Sequence, residues 1–174
     1  MKCTRHSRAR HFFALAGMTL VAMGCGGESP ADACGLSGTP PSEEEVVNGF
    51  LRATTDEGNF SEMGSWSSGS NGDITAGTLS MIIANDESAS AVSELVGRGA
   101  FPICVPLGER SPSSGNATYD SRFVTDASHT GMVAILGEDA GMLFGRFEVE
   151  LKDGSGGSTD TFAFREGVFR LPAR

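Results

Sequence analysis

The chain has 174 residues and a formal net charge of −9, but the first 24 positions hold four of its thirteen basic residues and none of its twenty-two acids. Residues 25–174 therefore carry nine bases against twenty-two acids, a net charge of −13, with Lys152 as their one lysine. A surface of that sign is repelled by nucleic-acid phosphates and anionic lipid head groups, which argues against both as partners. About 150 residues make one domain with a single core.

The N-terminal stretch from Arg8 to Gly27 reads RARHFFALAGMTLVAMGCGG. Lys2, Arg5, Arg8 and Arg10 form a basic start, followed by an apolar run from Phe12 to Met23. That is the n-region and h-region of a secretion signal. A transmembrane helix needs roughly 20 apolar residues, and this run stops at Cys25-Gly26-Gly27-Glu28. Val21-Ala22-Met23-Gly24-Cys25 resembles the lipobox of bacterial lipoproteins, with Ala22 where that family usually has Leu. The resemblance covers the first twenty-five or so residues. It implies a diacylglyceryl group on the Cys25 thiol, cleavage after Gly24 and acylation of the freed amine. Gly26, where a retention signal would often place Asp, implies the outer membrane. Burial of acyl chains at about 0.8 kcal/mol per CH₂ makes two or three chains an essentially permanent anchor. The expected organisation is a signal peptide over 1–24, a lipidated cysteine and flexible linker over 25–41, and one globular domain over 42–174.

Gly26 to Pro41 is dominated by Gly, Pro, Ser and Ala and has the composition of a tether. Cys34 and Cys104 are the two remaining cysteines. An even pair in an oxidising compartment reads as a disulfide, with two free thiols as the alternative. A bridge would leave about eight free linker residues, with a reach of about 15 Å.

Ser42 and Glu45 have capping-box spacing, and Val46, Val47, Phe50 and Leu51 follow at helical spacing, so a short helix is predicted over Glu43 to Thr54. Asn59 to Thr75 is rich in Gly, Ser and Asn and reads as a loop or weak strand. Trp66 within it is either a ligand-stacking ring or an anchor packed on the core. Leu79 to Ala84 suits a buried strand. Ala91, Val92, Leu95 and Val96 predict a second short helix stopped by Gly97 and Gly99. Phe101 to Leu107 must be extended, because Pro102 and Pro106 forbid a helix and exclude the segment from a central strand position.

In the last third, Tyr119 to Val124 alternates and Met132 to Leu136 is a continuous apolar strand. Leu143, Gly145, Phe147, Val149 and Leu151 line one face of a strand whose other face carries Phe144, Arg146, Glu148 and Glu150. Gly137 to Gly141 and Asp153 to Gly157 supply turns. Phe162 and Phe164 alternate, then Phe169 and Leu171 switch parity, which requires a two-residue turn or a bulge at Glu166-Gly167. The predicted fold is mainly β: an antiparallel sandwich or small barrel of about seven strands, with a C-terminal meander and one or two short helices.

Catalytic side chains are sparse. His129 is the one histidine after position 24, which excludes a multi-histidine zinc site. A Ser/His/Asp hydrolase would have to use it, yet no Gly-x-Ser-x-Gly elbow is present, and Lys152 has no serine three residues before it. No phosphate-cradling glycine pattern precedes a helix. Glu148 and Glu150 are the best-placed carboxylate pair for glycoside chemistry. Asp153, Ser155 and Asp160 offer oxygen ligands for Ca²⁺, without EF-hand spacing and in what reads as a hairpin loop. The expectation is an envelope lipoprotein with a structural or binding role, not an enzyme, that uses no cofactor or metal and meets the membrane through acylated Cys25. A small-ligand carrier with a pocket lined by Phe147, Val149, Phe162 and Phe164, and a glycan hydrolase, are the alternatives.

Overall fold

The computed structural model describes residues 32–36, 48–67, 72–83, 94, 96–108 and 114–174. The expected signal peptide and Cys25 lie outside the described residues, as do Glu43 to Val47 of the first expected helix. Ten strands carry the fold: β1 (Phe50–Thr55), β2 (Gly58–Ser67), β3 (Asp73–Ala76), β4 (Leu79–Ile82), β5 (Ile103–Leu107), β6 (Asn116–Tyr119), β7 (Phe123–Val124), β8 (Gly131–Asp139), β9 (Met142–Asp153) and β10 (Thr161–Pro172).

Eight of them close into a barrel in the order β10-β1-β2-β3-β4-β6-β7-β9, with β9 returning to β10, and every ladder is antiparallel. The long strand β9 lies between β10 on one edge and two shorter partners on the other. There Asp153 and Lys152 meet β7 and Val149 to Met142 meet β8. Strand β5 extends this wall beyond β8, and its far edge is stitched to the start of β6 by a bridge between Leu107 and Gly115. Of the two architectures compatible with the alternating strands, the barrel is the one adopted, and β8-β9-β10 form the expected meander.

The interior is packed. Leu51, Ile74, Met81, Leu143, Phe147, Leu151, Phe164, Phe169 and Leu171 are at most 1% exposed and belong to one apolar cluster. Large rings fill the lumen as in other small barrels, so each inward face reads as period-2 alternation. In β9 the buried set is Leu143, Gly145, Phe147, Val149 and Leu151, as the alternation predicts, together with Asp153 at the strand's end. The parity switch in β10 is a bulge: Glu166 takes φ 53°, and the register with β9 jumps between Phe164 and Gly167. Strand β5 pairs with β8 alone among the named strands, the edge position its prolines require.

Several elements differ from expectation. Of the described part of the first expected helix, Asn48 and Gly49 form a turn and Phe50 to Thr54 belong to strand β1. Two adjacent apolar residues fit either period, and pairing with both β10 and β2, together with the β-branched Thr54 and Thr55, decides for the strand. The Gly- and Ser-rich stretch is a ten-residue strand, β2, because ladder partners on both sides override weak intrinsic preference. Gly64 is needed there, since a Cβ would strike Thr75 O and lie 3.0 Å from Leu171 Cδ2. Tyr119 to Val124 is a hairpin rather than one strand. Asp120 and Ser121 take φ 52° and 53°, and Arg122 N–H donates to Tyr119 O at 3.1 Å, a turn of the I′ kind. The expected turn over Gly137 to Gly141 contracts to Ala140-Gly141, with β8 running through Asp139. β4 buries Leu79 and Met81 while Ser80 and Ile82 are half-buried, so it is a barrel wall rather than a strand covered on both faces. Of the second expected helix, Glu94, Val96 and Gly97 are helical, and the rest lies outside the described residues.

Within the expected linker, Asp32–Cys34 forms a 3-10 turn. Cys34 is bonded to Cys104 on β5, with Cα atoms 5.3 Å apart. Cys34 and Leu36 are buried against Ala134 and Leu136, the outward face of β8. That cover accounts for the continuous apolar run from Met132 to Leu136: Val133 and Ile135 face the lumen, and the N-terminal segment roofs the other side.

Candidate functional site

The segment Cys34–Leu36 and the bulged strand β10 leave between them an open groove of about 450 Å³ on the outside of the barrel. Its floor is β9 from Glu148 to Glu150, and its sides are Thr130 to Met132 and Ala163 to Arg165. Gly131 brings β8 close to this floor, because any Cβ there would collide with Glu148 O. Glu148 and Glu150 thus share one recess, two residues apart on one face and about 7 Å from each other along the strand. Glu148 is half-buried and Glu150 exposed.

Arg165 sits beside them, but its partner is Asp56, from the turn between β1 and β2. Arg165 Nη1 donates to Asp56 Oδ1 at 2.6 Å, and the Ala163 N–H donates to Asp56 Oδ2 at 3.0 Å. These two bonds hold the Asp56 carboxyl below its usual range. The Asp56 bond, followed by the nearby charges of Asp56, Glu150 and Glu148, pushes the Arg165 guanidinium up. The groove therefore carries both signs. A glycosidic acid needs a carboxyl in an apolar, water-poor setting, whereas Glu150 is open to solvent.

His129 belongs to a second cluster. Asp126 Oδ1 accepts from the Ser128 and His129 N–H groups, each at 2.8 Å, and lies 2.9 Å from His129 Nδ1. Asp126 Oδ2 pairs with Lys152 Nζ at 2.6 Å. Lys152 and then His129 are the main causes that hold the Asp126 carboxyl far below its ordinary value. This carboxylate is engaged on both oxygens, and it ties the loop before β8 to β9.

The carboxylates offered for Ca²⁺ are occupied by an internal cation. Arg122 Nη2 donates to Asp153 Oδ2 at 2.7 Å and to Asp160 Oδ2 at 3.2 Å, and Arg122 Nε donates to the same Asp153 oxygen at 3.0 Å. The Ser155 N–H takes the other Asp153 oxygen at 2.8 Å. Arg122 and then Ser155 hold the Asp153 carboxyl far below its ordinary value, although its side chain is 1% exposed. The loop is a clamp closed by arginine. Among the described residues no group of three or more His, Cys, Asp and Glu is placed to hold a metal ion.

Trp66 is 7% exposed and packed in the core near the end of β2, so it is an anchor rather than a stacking platform, and its indole N–H has no hydrogen-bond partner among the described residues. Asp56 and Arg165 escaped the reading of the sequence. The signal for Asp56 was Asp56-Glu57-Gly58, a turn sequence between two strands, which was hidden by the helix expected before it. Comparison with protein-family models, curated proteins and solved structures returns no match for the chain.

Proposed function

We propose that the protein is an envelope lipoprotein, held to the outer membrane by acylated Cys25, whose barrel has a non-enzymatic structural or binding role. The observation that carries the barrel's part is the filled lumen. Phe147 and Phe164, two of the residues a carrier would use to line a cavity, are buried in the packed core at no more than 1% exposure. What the described residues offer a partner is outer surface. The anchor rests on the basic start, the apolar run and the small residue before Cys25. The bridge between Cys34 and Cys104 supports a short leash, since about eight residues separate it from Cys25 and reach about 15 Å. The barrel would then work close to the bilayer.

Metabolic labelling with a clickable fatty acid tests the anchor: the parent takes the label and Cys25→Ser does not. Equal labelling of both overturns it. A glycan hydrolase using Glu148 and Glu150 is the second reading, favoured by their shared groove. It requires a loss of at least a hundredfold in glycan cleavage on Glu148→Gln or Glu150→Gln, in line with the contribution of general acid–base groups.

A further inference from the structure

We propose that the barrel end formed by the turns at 56–57, 77–78 and 120–121 and the loop 154–160 is a docking surface for an arginine-rich segment of a partner protein. The proposal rests on the binding role above and names the partner's chemistry. The floor is aromatic. Tyr119 stacks on Phe162 with ring centroids 4.7 Å apart and meets Phe164 and Phe60 edge-on at 5.1 and 6.1 Å, and Phe123 lies 5.5 Å from Phe162. Phe162 and Phe164 are buried, whereas Phe60, Tyr119 and Phe123 are half-buried and pack against them at the edge of the core.

The rim is acidic. Arg122 neutralises Asp153 and Asp160, and Arg165 neutralises Asp56. Glu57, Glu62 and Asp120 are exposed and form no ion pair among the described residues. They are close enough for their charges to add to burial in raising the Tyr119 phenol. Three carboxylates without an ion pair among the described residues thus act on the same end of the barrel as the aromatic cluster, and acids together with rings are what a cation seeks.

The molecule already shows which cation fits. The Arg122 guanidinium lies 4.8 Å from the Phe123 centroid while donating to two carboxylates. A guanidinium stacks flat and keeps its N–H donors for the acids around it, which a methylated ammonium cannot do. The unmatched acids come from β2 and from two different turns, so one small cation cannot meet them all. A peptide carrying several arginines can.

The test is fluorescence anisotropy of a labelled octapeptide, (Gly-Arg)₄, titrated with the detergent-solubilised full chain at about 0.15 M salt, where the Debye length is ~8 Å. Saturable binding is expected, weakened about tenfold in Glu57→Gln/Glu62→Gln/Asp120→Asn. These changes are isosteric, and Asn tolerates the positive φ of position 120. An unchanged thermal midpoint checks that the fold is kept. A matched variant away from this end, Glu94→Gln/Glu138→Gln/Asp139→Asn, should change affinity less than about twofold, and (Gly-Lys)₄ should bind about threefold more weakly. Three results overturn the proposal: no saturable binding, equal weakening in both triple variants, or competition by tetramethylammonium at the peptide's own concentration. None bears on acylation of Cys25, so failure here and failure of the anchor are separable.

Discussion

The two ends of the barrel are closed by different chemistry. One is plugged by Phe60, Tyr119, Phe123, Phe162 and Phe164, with tight hairpin turns around them and acids that exceed the local arginines. At the other, Trp66 lies buried beside the C-terminal residues, Ala173 bridges to it, and Asp73 and Asp139 each hold an arginine, Arg174 and Arg170. The first end concentrates rings and leaves Glu57, Glu62 and Asp120 without an ion pair among the described residues, while the second pairs Asp73 and Asp139 with arginines and ties down Ala173 and Arg174. Acids paired within the chain serve its stability; acids left without a cation are where a basic partner would add most.

Ways to break the comparison can be ranked by size. Phe164→Ala removes the floor of the aromatic end and should cost about 3–5 kcal/mol in urea unfolding; a loss below about 1 kcal/mol would show that the rings do not hold that end. On the flank between the ends, Cys34→Ser/Cys104→Ser should lower stability by roughly 4 kcal/mol in the chain-entropy account of a 70-residue separation. If reduction leaves the unfolding midpoint in place, the N-terminal segment is not clamped by the bridge.

Acid should act through the two clamped carboxylates. The folded pKa values of Asp153 and Asp126 are depressed by their partners. Their stabilisation is therefore complete above the ordinary aspartate value of about 4 and is lost as pH falls towards the depressed value. Asp153→Asn should flatten the fall in unfolding midpoint between pH 5 and pH 2, roughly the span of that linkage; an unchanged slope would contradict the clamp. The smallest effect belongs to the Trp66 end. Trp66→Phe keeps a ring in the core and removes an N–H without a partner, so the change should stay within about 1 kcal/mol.

The sequence disclosed the fold unevenly, for physical reasons. Strand β9 was legible because one face is buried and the other is not, so hydrophobicity alternates over ten residues. The prolines of β5 announced an edge, and the parity switch in β10 announced a turn or a bulge, of which the bulge is adopted. Strand β2 was hidden because its stability comes from partners far along the chain, not from Gly, Ser and Asn. The turn at Asp120-Ser121 was hidden because two non-glycine residues take the left-handed region there without an Asn-Gly signature. The same holds for function. Each aromatic residue was visible singly, but Phe60 and Phe162 meet on Tyr119 only once β10 closes against both β9 and β1. Glu148 and Glu150 were placed together correctly, while Arg165 and Asp56 beside them depended on the bulge and on a turn that follows a segment expected to be helical.

The most direct test of a tethered, bridged barrel is the intact mass of membrane-extracted protein treated with iodoacetamide and no reductant. The account predicts a chain beginning at Cys25, carrying a diacylglyceryl group and an N-acyl chain, with no added carbamidomethyl. A chain that retains residues 1–24, lacks lipid and gains a label on each of its four cysteines would contradict it.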